Sequence, residues 1–254
     1  MHTKEEYIAV FDSGVGGISV LRELVKMMPE EKYLYFGDSA NAPYGSRTTE
    51  EVRQLTLAAA EKLTTEYPIK ALVIACNTAT AAAICDLRNA YPDTIIIGIE
   101  PALKLAYDRY GAGRVGVMAT QVTLREEKFS HQLERFPDMQ VSLIPAPGLV
   151  ELIEAGKADS AETEALLREL FAAYPPMDAL VLGCTHYPFA AKAISRVLGP
   201  DVTLLEGGDG TARETRRRLA EAGLLNGGEE MGTVRMEHSG SNPHFAELVR
   251  TLME

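Results

Sequence analysis

The chain has 254 residues, 46% hydrophobic and 24% charged, a balance that suits one large or two modest soluble domains. A formal charge of −11 and a pI near 5.0 argue against general affinity for nucleic acid or anionic membrane, so an anionic ligand has to be held by local donors. Three cysteines, an amino terminus acidic at Glu5 and Glu6, and no apolar run near the roughly 20 residues of a membrane span predict free thiols in a cytoplasmic protein.

In chain order, Tyr7 to Phe11 predicts a strand, Asp12-Ser13-Gly14-Val15-Gly16-Gly17 a loop, and Ile18 to Met28 a helix stopped by Pro29. Tyr33 to Phe36 is a second strand, followed by a loop rich in turn formers from Gly37 to Ser46. Asp38 in that loop, like Asp209 further on, is read as a turn residue, with shaping of the loop as the alternative role for Asp38. A capping box at Thr48 and Glu51 opens a helix to about Glu66. The β-branched run Lys70 to Ala75 then breaks at Cys76 into an Ala-rich helix, and Thr94 to Gly98 is a further strand.

The alternation continues with a strand at Arg114 to Met118, a helix to about Phe136, and a strand at Val141 to Ile144. Short helices are expected around Val150 to Glu154 and after an Asp159/Glu162 capping box. Asp178 to Gly183 forms a strand ending at Cys184, with a helix beyond Pro188, and Val202 to Leu205 another strand leading into a turn from Glu206 to Gly210. Thr211 to Ala222 predicts a helix with a basic face, Thr233 to Glu237 a strand, and Pro243 to Leu252 a last helix. Strand and helix in alternation predict an α/β fold of mainly parallel sheets with helices on both faces.

The most informative pattern is written twice. Ala71-Leu72-Val73-Ile74-Ala75-Cys76-Asn77-Thr78 and Ala179-Leu180-Val181-Leu182-Gly183-Cys184-Thr185-His186 each place a thiol at the carboxyl end of an apolar strand, where open α/β sheets hold their ligands. Two such units predict two similar three-layer lobes related by a pseudo-twofold axis and facing each other across a cleft. Racemisation at an α-carbon needs a base on one face and an acid on the other, and a thiol, with an ordinary pKa of about 8.5, can serve as either. Cys85, mid-helix among Ala and Ile, is expected in the core.

Other chemistries fit these residues less well. The glycine loop lacks the Lys-Ser/Thr ending of a nucleotide-binding loop and the full Gly-x-Gly-x-x-Gly spacing. Cys76, Cys184 and His186 come without a Cys-x-x-Cys pair or a fourth metal ligand. A Cys–His hydrolase would use Cys184 as nucleophile and leave the duplicated Cys76 without a task.

Taken together, Asp12 to Gly17, Phe36-Gly37-Asp38-Ser39, Ala42-Pro43-Tyr44-Gly45, Ala75 to Thr80 and Leu182 to Pro188 resemble the glutamate racemase family, over a stretch from about Val10 to Thr211. Four positions depart from the family's usual residues, with Asn41, Ala42, Ala119 and Ala146 in place of Arg or Thr, Cys, Gly and Cys. The resemblance implies cofactor-independent interconversion of L- and D-glutamate by two bases, without metal or pyridoxal phosphate, supplying D-glutamate for peptidoglycan. It leaves as alternatives a racemase or isomerase of aspartate or another small acid, or a partner-binding role added to catalysis. It implies Cys76 as the base for D-glutamate and Cys184 for L-glutamate, supported by Asp12 and His186 respectively. Asp12, Ser13, Tyr44, Gly45, Asn77, Thr78, Thr120, Glu154, Thr185 and His186 correspond to substrate-binding positions. The lobes are expected at residues 1–97 plus 210–254 and at 98–209, with glutamate as small-molecule partner, neither nucleic acid nor membrane, and a homodimer as the assembly to test.

Overall fold

The computed structural model describes residues 2–228, 230–240 and 245–253. The first lobe is built on β1 (Tyr7–Asp12), β2 (Tyr33–Gly37), β3 (Ile69–Ile74) and β4 (Ile95–Gly98). The second is built on β5 (Arg114–Ala119), β6 (Gln140–Pro145), β7 (Ala179–Leu182) and β8 (Thr203–Glu206). Hydrogen-bonded order is β4-β3-β1-β2-β9 in the first sheet, where β9 (Val234–His238) is an added edge strand, and β6-β5-β7-β8 in the second. Apart from β9 the two orders are the same, so β1 corresponds to β5 and β3 to β7. All strand pairings are parallel.

Parallel strands covered on both faces need continuous apolar runs, and β2 and β3 are buried at every residue. On β1 the pleat sends Ile8 and Val10 to a core with α1 (Ile18–Met27), α10 (Gly208–Glu221) and α11 (Phe245–Met253). Ala9 and Phe11 point the other way, into a core with α2 (Thr49–Glu66) and α3 (Asn77–Ala90). The second sheet repeats the division. Met118, Leu180 and Leu182 pack under α7 (Leu149–Glu154), α8 (Ala161–Phe171) and α9 (Ala191–Leu198). Val115, Val117, Ala179 and Val181 pack under α4 (Leu103–Tyr110) and α6 (Glu127–Leu133).

Most elements lie where the residues predict, including the Thr48/Glu51 capping box, whose reciprocal bonds are both made. Five details differ. The helix expected to run to Phe136 is broken into α5 (Gln121–Arg125) and α6, because Glu126 leaves helical conformation and its carboxylate accepts a bond from Thr49 of the first lobe. The α8 cap is Ser160, whose hydroxyl accepts from the Thr163 N–H, while Asp159 is drawn off to an ion pair with Arg196. Residues 208–210, expected in a turn, form the start of α10, which packs along α1 and buries Gly208. After Cys184 the chain first makes a 3-10 turn, Tyr187–Ala190, so α9 starts seven residues beyond the thiol. Cys85 is exposed, since the buried stripe of α3 runs through Ala79, Ala83, Ile84 and Leu87 and passes it by. For the last helix, Pro243 lies outside the described residues and α11 is described from Phe245.

Candidate active site

The two lobes meet around a cavity of about 170 Å³ at the carboxyl ends of both sheets. Eleven of the twelve residues singled out from the sequence line it: Ser13, Tyr44, Gly45, Cys76, Asn77, Thr78, Thr120, Glu154, Cys184, Thr185 and His186. The twelfth, Asp12, stands behind the wall with no exposed surface.

Cys76 stands two residues beyond the end of β3 and serves as the N-cap of α3, its Sγ accepting the Ala79 N–H at 3.5 Å and donating to Ser13 Oγ at 3.6 Å. The last residue of β1, Asp12, accepts from the Gly14 N–H at 2.9 Å through one oxygen and from the Thr185 hydroxyl at 3.0 Å through the other. That second bond joins the lobes. Burial and the neighbouring Asp12 carboxylate push the Cys76 thiol up to about 12, only partly opposed by the Ala79 N–H and Ser13. Burial also raises Asp12, against the pull of His186 and its own hydrogen bonds.

The environment of Cys184 is different. Its Sγ lies 3.8 Å from His186 Nδ1, and His186 Nε2 donates to Glu154 Oε1 at 2.7 Å. Burial works against a charged imidazole, but the bonds to Cys184 and Glu154 prevail and hold His186 well above its ordinary value. Burial of Glu154 is likewise outweighed by His186, which keeps that carboxyl below its usual range. One thiol therefore sits beside a carboxylate and a hydroxyl, the other beside an imidazolium.

The glycine loop after β1 owes its composition to close approach by the second lobe. A Cβ on Gly16 would lie 2.4 Å from His186 Nδ1, and one on Gly14 would lie 2.3 Å from Glu154 Oε1. The Val15 N–H donates to that same Glu154 oxygen at 3.3 Å, and Ser19 on α1 donates to the Thr185 carbonyl at 3.0 Å. On the opposite side, Thr78 of α3 and Thr120, the cap of α5, share a hydroxyl bond of 3.0 Å, with Thr123 joined to Thr120 at the same distance.

Sequence reasoning missed part of this wall. Glu151 stands at the mouth one turn before Glu154, a spacing that signals a shared helix face. Tyr187 lines the cavity beside His186 with its hydroxyl buried and unpartnered, as is Asn77 Oδ1 across from it. Thr123 acts from behind, and only the folded chain brings it there; Asp38, the alternative loop-shaping residue, accepts the Tyr44 hydroxyl from behind the wall. Among the described residues no group of three or more His, Cys, Asp or Glu side chains is arranged to hold a metal ion.

Two like α/β lobes, each delivering one buried thiol to a shared cavity, define the class as a two-lobe racemase fold. A model of the Asp/Glu/hydantoin racemase family matches residues 8–215. A glutamate racemase of Clostridium botulinum is 46% identical over 257 aligned positions, covering 100% of this chain and 99% of that protein. The crystal structure of glutamate racemase from Thermus thermophilus, in complex with β-chloro-D-alanine, superposes with a TM-score of 0.84 at 37% identity, covering 99% of this chain and 94% of that one. That of Francisella tularensis, in complex with D-glutamate, gives 0.85 at 27% identity, covering 98% and 94%. The chain belongs to the glutamate racemases of the Asp/Glu/hydantoin racemase family, and it is an isomerase.

Proposed function

We propose that this racemase interconverts L- and D-glutamate by a two-base mechanism in which Cys76 takes the α-proton of the D-enantiomer and Cys184 that of the L-enantiomer. The observation that carries the reading is the position of the thiols. They stand two residues beyond the ends of corresponding strands of two corresponding sheets and line one cavity from opposite lobes. A thiolate on one face removes the α-proton, leaving the electron pair delocalised into the α-carboxylate, and the thiol on the other face returns a proton to the carbon. Asp12, behind Cys76, helps keep that thiol protonated, and His186 stands with its Nδ1 3.8 Å from the Cys184 Sγ.

Substrate carboxylates in an acidic protein must be met by neutral donors, and Ser13, Asn77, Thr78, Thr120 and Thr185 supply hydroxyl and amide groups with the Tyr44-Gly45 backbone close by. The unpartnered Asn77 Oδ1 is an acceptor suited to an α-ammonium. The relatives' names support glutamate, and the work belongs in the cytoplasm as a source of D-glutamate for peptidoglycan. No described helix is long and apolar enough to cross a membrane. The lobe division belongs to the same proposal: residues 1–97 plus 210–254 against 98–209, limits that fall within two residues of the end of β4 and the start of α10. A homodimer is tested by light scattering on the purified chain.

The decisive experiment incubates each pure enantiomer in heavy water with wild type, Cys76→Ala and Cys184→Ala, and follows optical rotation and α-deuteration by NMR. Wild type racemises both, and neither single variant does. Cys76→Ala retains slow exchange on L-glutamate alone and Cys184→Ala on D-glutamate alone, because exchange with retention needs only the surviving thiol. The opposite pattern reverses the assignment of faces, and faster turnover of aspartate than glutamate by wild type moves the substrate to a shorter acid.

A further inference from the structure

The cavity wall from Ala42 to Ser46 belongs to a loop, and its support comes from the far end of the chain. Asp38, the residue after β2, is buried, and its carboxyl group gathers three side-chain donors of this region. Tyr44 donates its hydroxyl to Oδ2 at 2.6 Å, and Asn41 donates Nδ2 to both oxygens, at 3.0 and 3.1 Å. Ser239, at the exit of β9, donates its hydroxyl to Oδ1 at 2.5 Å. The same Ser239 oxygen accepts the Ala40 N–H at 3.0 Å, while the Gly240 N–H donates to Ser39 Oγ at 3.3 Å. The side-chain donors to this carboxyl group are two hydroxyls and an amide.

Strand β9 is also the one strand of the first sheet without a counterpart in the second. It pairs with β2 up to Gly37↔His238, one residue before Asp38 and Ser239. The added edge strand thus delivers Ser239 to the root of the loop that carries Tyr44 and Gly45.

We propose that Asp38 and Ser239 are positioning residues of the racemase: through the Tyr44 hydroxyl they brace the Tyr44-Gly45 turn against the cavity, and β9 is present to supply that brace. The inference rests on the reading of the cavity as the glutamate site. Neither residue lines the cavity, so the brace acts on binding rather than on the thiols. A lost bond to a charged group corresponds to roughly a tenfold change in an equilibrium.

The test compares wild type, Ser239→Ala, Asp38→Asn, Tyr44→Phe and the double variant Ser239→Ala/Tyr44→Phe by steady-state racemisation and by hydrogen–deuterium exchange of the peptide spanning residues 40–47 without substrate. Ser239→Ala raises KM for glutamate by roughly tenfold with kcat within a factor of two, and speeds exchange in 40–47 but not in β1 or β3. Asp38→Asn raises KM further, because an amide keeps only one acceptor oxygen and turns an NH2 donor toward either the Tyr44 or the Ser239 hydroxyl. In the double variant the KM increase is smaller than the product of the two single effects, since both act through one carboxylate. Unchanged KM and exchange in Ser239→Ala and Asp38→Asn overturn the brace. Equal losses in kcat and thermal midpoint without a KM change overturn it in favour of a purely structural role. A wild type without activity on glutamate overturns the substrate reading and the kinetic half of this inference, while exchange at 40–47 still decides the brace itself.

Discussion

The two catalytic thiols proposed here are chemically unequal before any substrate arrives. With its thiol pushed up to about 12 by burial and Asp12, Cys76 is held as the neutral thiol at pH 7, and under the proposed mechanism it must lose that proton before it can act as a base. Alkylation by iodoacetamide therefore labels exposed Cys85 first, with full activity retained, as peptide mapping alongside the racemase assay will show. Labelling of Cys76 follows slowly, and its rate rises about tenfold per pH unit from pH 7 to 9.

The Glu154–His186 pair makes a second prediction at the same scale. Glu154 is held below its ordinary 4.5, so its contribution is present above that pH and lost as the pH falls through the lowered value. His186 is held above its ordinary 6.5, so its contribution is full below that pH and lost as the pH rises through the raised value. The stability lost in Glu154→Gln should be greatest between about pH 4.5 and 6.5 and should shrink on both sides, by a few degrees of thermal midpoint in calorimetric scans across that range.

Among the elements, the loop after β1 is the joint between chemistry and fold. It carries Asp12 and Ser13 on the first lobe, and its glycines leave room for His186 and Glu154 of the second. Gly16→Ala drives a methyl group into the imidazole and the Thr185 hydroxyl, which must both withdraw from the cavity. Activity should fall by roughly a hundredfold, in keeping with displacement of a catalytic group by about 1 Å, while the far-ultraviolet circular dichroism spectrum keeps its shape. A Gly16→Ala enzyme of normal kcat/KM would mean that the second lobe rests on this loop only loosely. Here the sequence was legible in type but not in purpose: the run of glycines reads as a loop without the spacing of a phosphate site, and the room it leaves for the partner lobe shows only in the folded chain.

At the scale of the whole molecule, the chain ends are tied down by an ion pair that no motif announces. Lys70, fully buried at the second position of β3, donates to Glu31 Oε2 at 2.6 Å, to the Lys4 carbonyl at 2.6 Å and to the Leu224 carbonyl at 3.0 Å. The other Glu31 oxygen accepts the Asn226 N–H at 2.8 Å, so the pair pins the amino terminus and the segment after α10 to the base of the first sheet. Lys70→Met leaves Glu31 buried and unpaired, at about 3–5 kcal/mol, lowering the thermal midpoint by roughly 10 °C. Lys70→Met/Glu31→Leu should recover much of that loss in calorimetry, and the folded fraction of each variant should keep its specific activity because the site is at the opposite ends of the strands.

The strands, most helices and the two thiols could be read from residues alone because they rest on local causes. Apolar runs of strand length, a capping box within three residues and a thiol after a buried strand are all set by neighbours in sequence. The duplicated cysteine unit also carried the two-lobe architecture, since like segments fold alike. What neighbours in sequence could not determine was the phase of α3 that exposes Cys85, the break at Glu126, the charge on His186 and the purposes of Asp38 and Lys70. Each depends on a partner far along the chain: the cores that α3 faces, Thr49, Glu154, Ser239 and Glu31 respectively. Burial and hydrogen bonding across such distances exist only once the sheets have formed, and tertiary structure alone decides them.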